Sequence, residues 1–149
     1  MTAMYNSGVL NQITRADYAK ARFRASLRGL LAFVFRRNNR LLSLSALLND
    51  AEIVNQHSLG ICTVPIERIV GSMARTNDFD RNFAPRQEFT EHRWLSIAKA
   101  MYRGIPLPAI ELVLMSGRYY VVDGHHRVSA ARALGQKFID ANVTEITIR

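Results

Sequence analysis

Five consecutive residues, Asp123, Gly124, His125, His126 and Arg127, set a carboxylate, two imidazoles and a guanidinium around one glycine. They lie between a strand-like run ending at Val122 and a helix-like run from His126 to Leu134, closed by Gly135. Glycine at such a junction lets the backbone approach a ligand, and the free N–H groups of the first helical turn attract an anion. Arg127 adds a planar fork suited to phosphate oxygens. Binding of a phosphate group by Asp123, Gly124, His125, His126 and Arg127 is therefore expected. The plainer alternative makes Gly124 a turn residue, Asp123 a helix cap and Arg127 a surface charge. Neighbouring helical side chains point about 100° apart, so His125 and His126 do not converge on a metal ion, and no metal site is expected. His126 is a candidate acid/base or phosphate donor, with a hydrogen-bonded structural histidine as the alternative.

Two further groups have the right chemistry. Asp78 and Asp80 lie in a polar stretch, Gly71 to Glu88, that reads as a long ordered loop; an Asp-x-Asp pair can hold Mg²⁺ or accept a proton, and equally can be loop solvation. The second group is basic. Residues 1–49 hold eight of the twenty Lys and Arg against Asp17 alone, and so +7 of the net charge of +8. Lys20, Arg24 and Arg28 repeat at i+4 along a helical pattern, with Arg36 and Arg37 at its end; they are candidates to neutralise DNA phosphates in a salt-dependent, sequence-independent way. The same arm can instead pack on the domain or on a second copy, so a homodimer is the alternative partner.

The elements that must position these groups follow from periodicity. Phe23, Leu27, Leu30, Leu31 and Val34 mark one face of an amphipathic helix from Thr14 to Phe35, and Leu41, Leu44, Leu47 and Leu48 a shorter helix ending between Asp50 and His57. Cys62 to Val70 alternates as a first strand, with Pro65 favouring a sheet edge. Thr90 is a candidate N-cap for a helix from about 91 to 103. Residues 110–115 and 118–123, joined by Ser116-Gly117, read as a tight hairpin, and 138–148 as a last strand with Ile139, Ala141 and Val143 on one face. The expected order is α-α-β-α-β-β-α-β, divided into a basic helical arm over 1–59 and an α/β domain over 60–149.

A chain of 149 residues with 48% hydrophobic and 21% charged residues has ordinary globular composition. The longest apolar stretch, Gly29 to Phe35, is too short for a bilayer core of roughly 30 Å, so no membrane contact is expected. No secretory signal is read at the N-terminus, and a cytoplasmic location is expected. Cys62 is the only cysteine, which excludes an internal disulfide and suits a small buried hydrophobe.

Val64-Pro-Ile-Glu-Arg-Ile69, Gly104-Ile-Pro-Leu-Pro-Ala-Ile110 and the run Tyr120 to Gly135 resemble the ParB-like N-terminal domain of the ParB/sulfiredoxin superfamily, over about residues 60–149. The resemblance implies a mixed sheet with flanking helices. In ParB proteins the Gly-x-x-Arg-x-x-Ala pattern, matched by Gly124, Arg127 and Ala130, belongs to a CTP-binding surface that switches DNA clamping. Free-serine kinases of the superfamily share the whole Asp-Gly-His-His-Arg string, which implies an ADP- or ATP-dependent small-molecule kinase as the rival, with Mg²⁺ beside the nucleotide. Those kinases use a glutamate after the first strand; residues 68–87 contain none, leaving Asp78 and Asp80 as the nearest replacements, with Glu67 inside the strand as a less mobile option. Sulfiredoxin places its catalytic cysteine where His125 stands, so that chemistry is not expected. No two-metal carboxylate cluster for DNA hydrolysis is read. The helix-turn-helix domain of ParB proteins is not among these residues, which argues against a partition role. The expectation is a nucleotide-binding regulatory or DNA-associated module; turnover would make it a phosphotransferase or CTPase. A scaffold without ligand, acting through its arm, is the third reading.

Overall fold

The computed structural model describes residues 5–87 and 90–149. The elements are α1 (Ser7–Val34), β1 (Leu42–Ser43), α2 (Leu44–Leu48), β2 (Ile53–Pro65), a 3₁₀ turn (Ile66–Arg68), β3 (Ile69–Ser72), α3 (Glu91–Tyr102), β4 (Ile110–Met115), β5 (Arg118–Asp123), α4 (His125–Ala133) and β6 (Phe138–Ile148). Six strands form one sheet in the order β1-β3-β5-β4-β6-β2. β1 with β3, β3 with β5 and β4 with β6 run parallel, whereas β4 with β5 and β2 with β6 run antiparallel. The chain is an α/β protein with a mixed sheet and flanking helices.

Alternation sorts the central strands between two faces. Ile110, Leu112, Val121, Ala141 and Val143 join Val128 of α4 and Phe79 and Phe83 in the main core, while Val113, Met115, Tyr120 and Ile146 meet Leu44 of α2 on the other side. Ile139 packs against the main core, so residues 139, 141 and 143 share a face as the pattern predicts. The hairpin forms as expected, with Ser116 and Gly117 both at positive φ (51° and 74°), the two-residue turn whose twist matches that of the strands. α3 and α4 also fall where periodicity places them.

Three expectations change. The alternation from Cys62 to Val70 is two strands: β2 ends at Pro65, whose fixed φ starts the 3₁₀ turn, and β3 emerges at the far side of the sheet. β2 is an edge strand, as a proline there requires, and it starts at Ile53, so helix does not extend to His57 and no structural break marks 59/60. Thr90 is not a side-chain cap; its hydroxyl donates to the Gln87 carbonyl (3.0 Å).

The third change concerns α1. Its buried face is Leu10, Thr14, Tyr18, Ala21 and Ala25, while Phe23, Leu27, Leu30, Leu31 and Val34 stay exposed. The small Ala21 and Ala25 let α1 lie close over the domain, with Tyr18 edge-on to Trp94 of α3 and Asp17 accepting the Tyr102 hydroxyl (2.5 Å). Phe23 sits about 200° around the helix from Ala21, so the bulky stripe turns away from this contact. Of the expected loop from Gly71 to Glu88, the first two residues belong to β3 and Glu88 lies outside the described residues; residues 73–87 form a loop whose Phe79, Asp80 and Phe83 are completely buried. No described helix is long and apolar enough to cross a membrane.

Candidate anion site at the start of the fourth helix

Gly124 stands between β5 and α4 with φ of 101°, a conformation L side chains rarely adopt, and a Cβ there would collide with Ile110. Only glycine fits. With no side chain capping the helix, the first-turn amides face outward as donors. Around them lies a cavity of about 180 Å³ lined by Arg75, Arg93, Ile97 and residues 123–127.

The two histidines divide their work. The Ser72 hydroxyl accepts the amides of Ala74 (3.2 Å) and Arg75 (2.9 Å), which uses both its lone pairs, so its proton goes to His125 Nε2 at 2.6 Å. The remaining ring proton of His125 therefore sits on Nδ1, and the imidazole pins α4 to the end of β3. His126 lies edge-on to Phe79, with centroids 5.3 Å apart, and its Nε2 is buried without a hydrogen-bond partner. Both rings are neutral at pH 7. Burial, then Arg75, pushes His125 down to about 4, and burial, then Arg93 and Arg75, pushes His126 down to about 4.

Arg127 carries more structure than expected. It donates to the carbonyls of Pro108 (2.6 Å) and Ala109 (3.1 Å) and to the Asp123 carboxylate (2.9 Å), tying the approach to β4 onto α4 while still lining the cavity. Asp123 is exposed and bridges Arg127 instead of capping the helix. The less committed cations come from elsewhere. Arg75 has one loose ion pair, to Asp78 at 3.9 Å, and among the described residues no hydrogen bond or ion pair engages Arg93. Arg93 lies in the first turn of α3, and nothing in its local sequence says that this turn abuts the start of α4; only the tertiary fold does.

The two loop aspartates are placed differently. Asp78 stays near Arg75 and the His126 ring. Asp80 is fully buried: Arg28 Nε (2.8 Å) and an Arg28 terminal nitrogen (2.7 Å) bind one oxygen, and the amides of Asn82 (2.9 Å) and Ala84 (3.0 Å) bind the other. With its lone pairs so occupied, Asp80 is a structural counter-ion. Among the described residues no group of three or more His, Cys, Asp or Glu is placed to hold a metal ion. Of the basic arm, Lys20, Arg24 and Arg28 turn toward α4, whereas Arg36 and Arg37 line a separate surface hollow with Arg40 and Arg86. Cys62 is half-buried on β2, against the main core.

No family model matches the chain, and no curated protein does. Among solved structures it is similar to sulfiredoxin from Arabidopsis thaliana, with a TM-score of 0.43 and 23% sequence identity over 58% of this chain and 86% of that one.

Proposed function

We propose that the chain is a nucleotide-binding module that holds a phosphate group at the start of α4. The observation that carries this reading is an uncapped helix start opening on a cavity walled by Arg75, Arg93 and Arg127, with His126, whose buried Nε2 has no hydrogen-bond partner, in its lining. An unsatisfied buried polar atom is costly, and three guanidiniums in one small cavity repel one another. A phosphate resolves both. Its oxygens accept from the helix amides and from Arg75 and Arg93, and one accepts from His126 when the ring proton sits on Nε2.

Arg127 also borders a neighbouring cavity of about 360 Å³ with Met101, Ile105, Leu107 and Phe138 as apolar wall and Thr63, Gln136 and Asp140 as polar groups. That composition suits the nucleoside end of the same ligand. A Mg²⁺ ion bound to the nucleotide would neutralise phosphate charge. The chain offers the phosphate cavity only the Asp123 carboxylate, already bridged to Arg127, so these residues fit the phosphates and not a resident metal ion. The kinase reading loses Asp80, which is spent on Arg28, and retains Asp78 as its remaining loop carboxylate.

Calorimetric titration with CTP, ATP and ADP in the presence of Mg²⁺ tests the proposal on wild type, Arg127→Ala and Arg75→Gln/Arg93→Gln. The expected result is saturable binding to wild type, weakened about tenfold or more in both variants. Affinity unchanged by either would overturn it. Selectivity for CTP supports a switch of the ParB kind, and adenine-nucleotide preference with phosphoryl transfer to a hydroxylated metabolite supports the kinase.

A further inference from the structure

A second cavity, of about 290 Å³, lies between α1, α4 and the 82–84 segment, and the phosphate site at the α4 start has no part in it. Lys20, Arg24 and Arg28 come from α1, and Arg132 and Ser129 from α4. Asp17 is the one carboxylate on its wall, and Asp80 beneath is neutralised by Arg28. Asp80 also acts on Arg132, so Lys20, Arg24, Arg28 and Arg132 stand against Asp17 and Asp80, a cationic excess.

Arg132 is the exceptional member. It is half-buried, one terminal nitrogen has no hydrogen-bond partner, and burial lowers its pKa. Asp80 and Glu67 offset part of its charge, and an anion in the cleft that Arg132 lines would offset the rest. Beside it, the Ser129 hydroxyl accepts the Trp94 indole N–H (2.9 Å), which leaves its own O–H to donate. Guanidinium, ammonium and hydroxyl donors converging on one cavity suit tetrahedral oxyanion recognition.

We propose that this cleft is a second, independent phosphoryl-anion site, in which Arg132, Lys20 and Arg24 hold the phosphate and Ser129 donates a hydrogen bond to it. The phosphate belongs to a small phosphorylated molecule or to a nucleic-acid backbone crossing the cleft, since both present the same oxygens.

Trp94 is the only tryptophan of the chain, and its indole touches the cleft through Ser129, so its fluorescence reports occupancy. The full chain is titrated with pyrophosphate and, separately, with short duplex DNA. A saturable change in Trp94 emission is expected in wild type and equally in Arg75→Gln/Arg93→Gln, whose other site is disabled. It should be lost in Arg132→Gln and weakened about tenfold or more in Lys20→Gln/Arg24→Gln. The latter positions are exposed, so that variant decides the matter should Arg132→Gln fail to fold. DNA binding with a steep salt dependence that displaces pyrophosphate assigns the phosphate to nucleic acid; pyrophosphate binding indifferent to DNA assigns it to a small molecule. No saturable change with either probe, an affinity untouched in Lys20→Gln/Arg24→Gln, or a signal lost in Arg75→Gln/Arg93→Gln would overturn the second site.

Discussion

At Gly124 a single added methyl group meets both a left-handed backbone and the Ile110 side chain. Gly124→Ala is expected to cost about 1 to 3 kcal/mol or more and to displace the α4 amides from the phosphate cavity, so the urea midpoint and nucleotide affinity should fall together. The histidines make a separate prediction. The unfolded chain takes up protons below about pH 6.5, while the folded chain excludes them from His125 and His126 until about pH 4. Their contribution is therefore complete above about pH 6.5 and is lost as pH falls toward 4, by an amount on the order of 1 to 3 kcal/mol for each ring. Replacing His125 by Gln should flatten part of that slope in denaturant titrations run at a series of pH values. Much of this site was legible: Asp-Gly-His-His-Arg is contiguous, and strand-Gly-helix chemistry is local. Arg93 and the Ser72–His125 bond were not, because they depend on which turns meet in space.

Between elements, the ties are ionic as well as apolar. Arg28 of α1 and Asp80 of the 73–87 loop form a part-buried ionic contact that helps join the first helix to the domain. Asp80→Asn removes the charge while keeping the shape, leaving Arg28 and Arg132 uncompensated. A loss of about 3 kcal/mol is expected in chemical unfolding, together with looser packing of α1 detected by amide exchange. An effect confined to catalysis, with stability unchanged, would show Asp80 to be a functional carboxylate after all. Asp-x-Asp looks the same in a sequence whether its second member is solvated, catalytic or buried, and only the partner 52 residues away decides it. The Pro65 break was half legible: the proline placed β2 at an edge, yet period-two alternation continues through the 3₁₀ turn and hides that β3 lies across the sheet from β2, next to the far edge strand β1.

Over the whole molecule, cationic charge lines two cavities against α4, one at its first turn and one at Ser129 and Arg132, and a separate hollow at Arg36, Arg37, Arg40 and Arg86. The arm read from its charge is thus not a free appendage: Leu10, Tyr18, Ala21 and Ala25 lie against the domain, and Lys20, Arg24 and Arg28 complete a cleft whose other wall lies about a hundred residues away in sequence. The amphipathic period correctly predicted a helix but named the wrong face as buried, because periodicity reports that a stripe exists and not which partner is present to cover it. The order of α3, β4, β5, α4 and β6 followed from local signals, since hairpin turn, helix stops and alternation all lie within a few residues of what they govern, whereas the mixed sheet was an expectation of the resemblance.

The most direct test of the phosphate site is the imidazole ¹⁵N spectrum of His126 in labelled protein at neutral pH, recorded while CTP, ATP or ADP is added with Mg²⁺. A bound phosphate supplies the partner that Nε2 lacks, so the His126 resonances should shift saturably with ligand while those of His125, held by Ser72, move far less. Calorimetric saturation with the His126 resonances unmoved would place the nucleotide elsewhere, and the absence of any binding would remove the ligand this site is argued to hold.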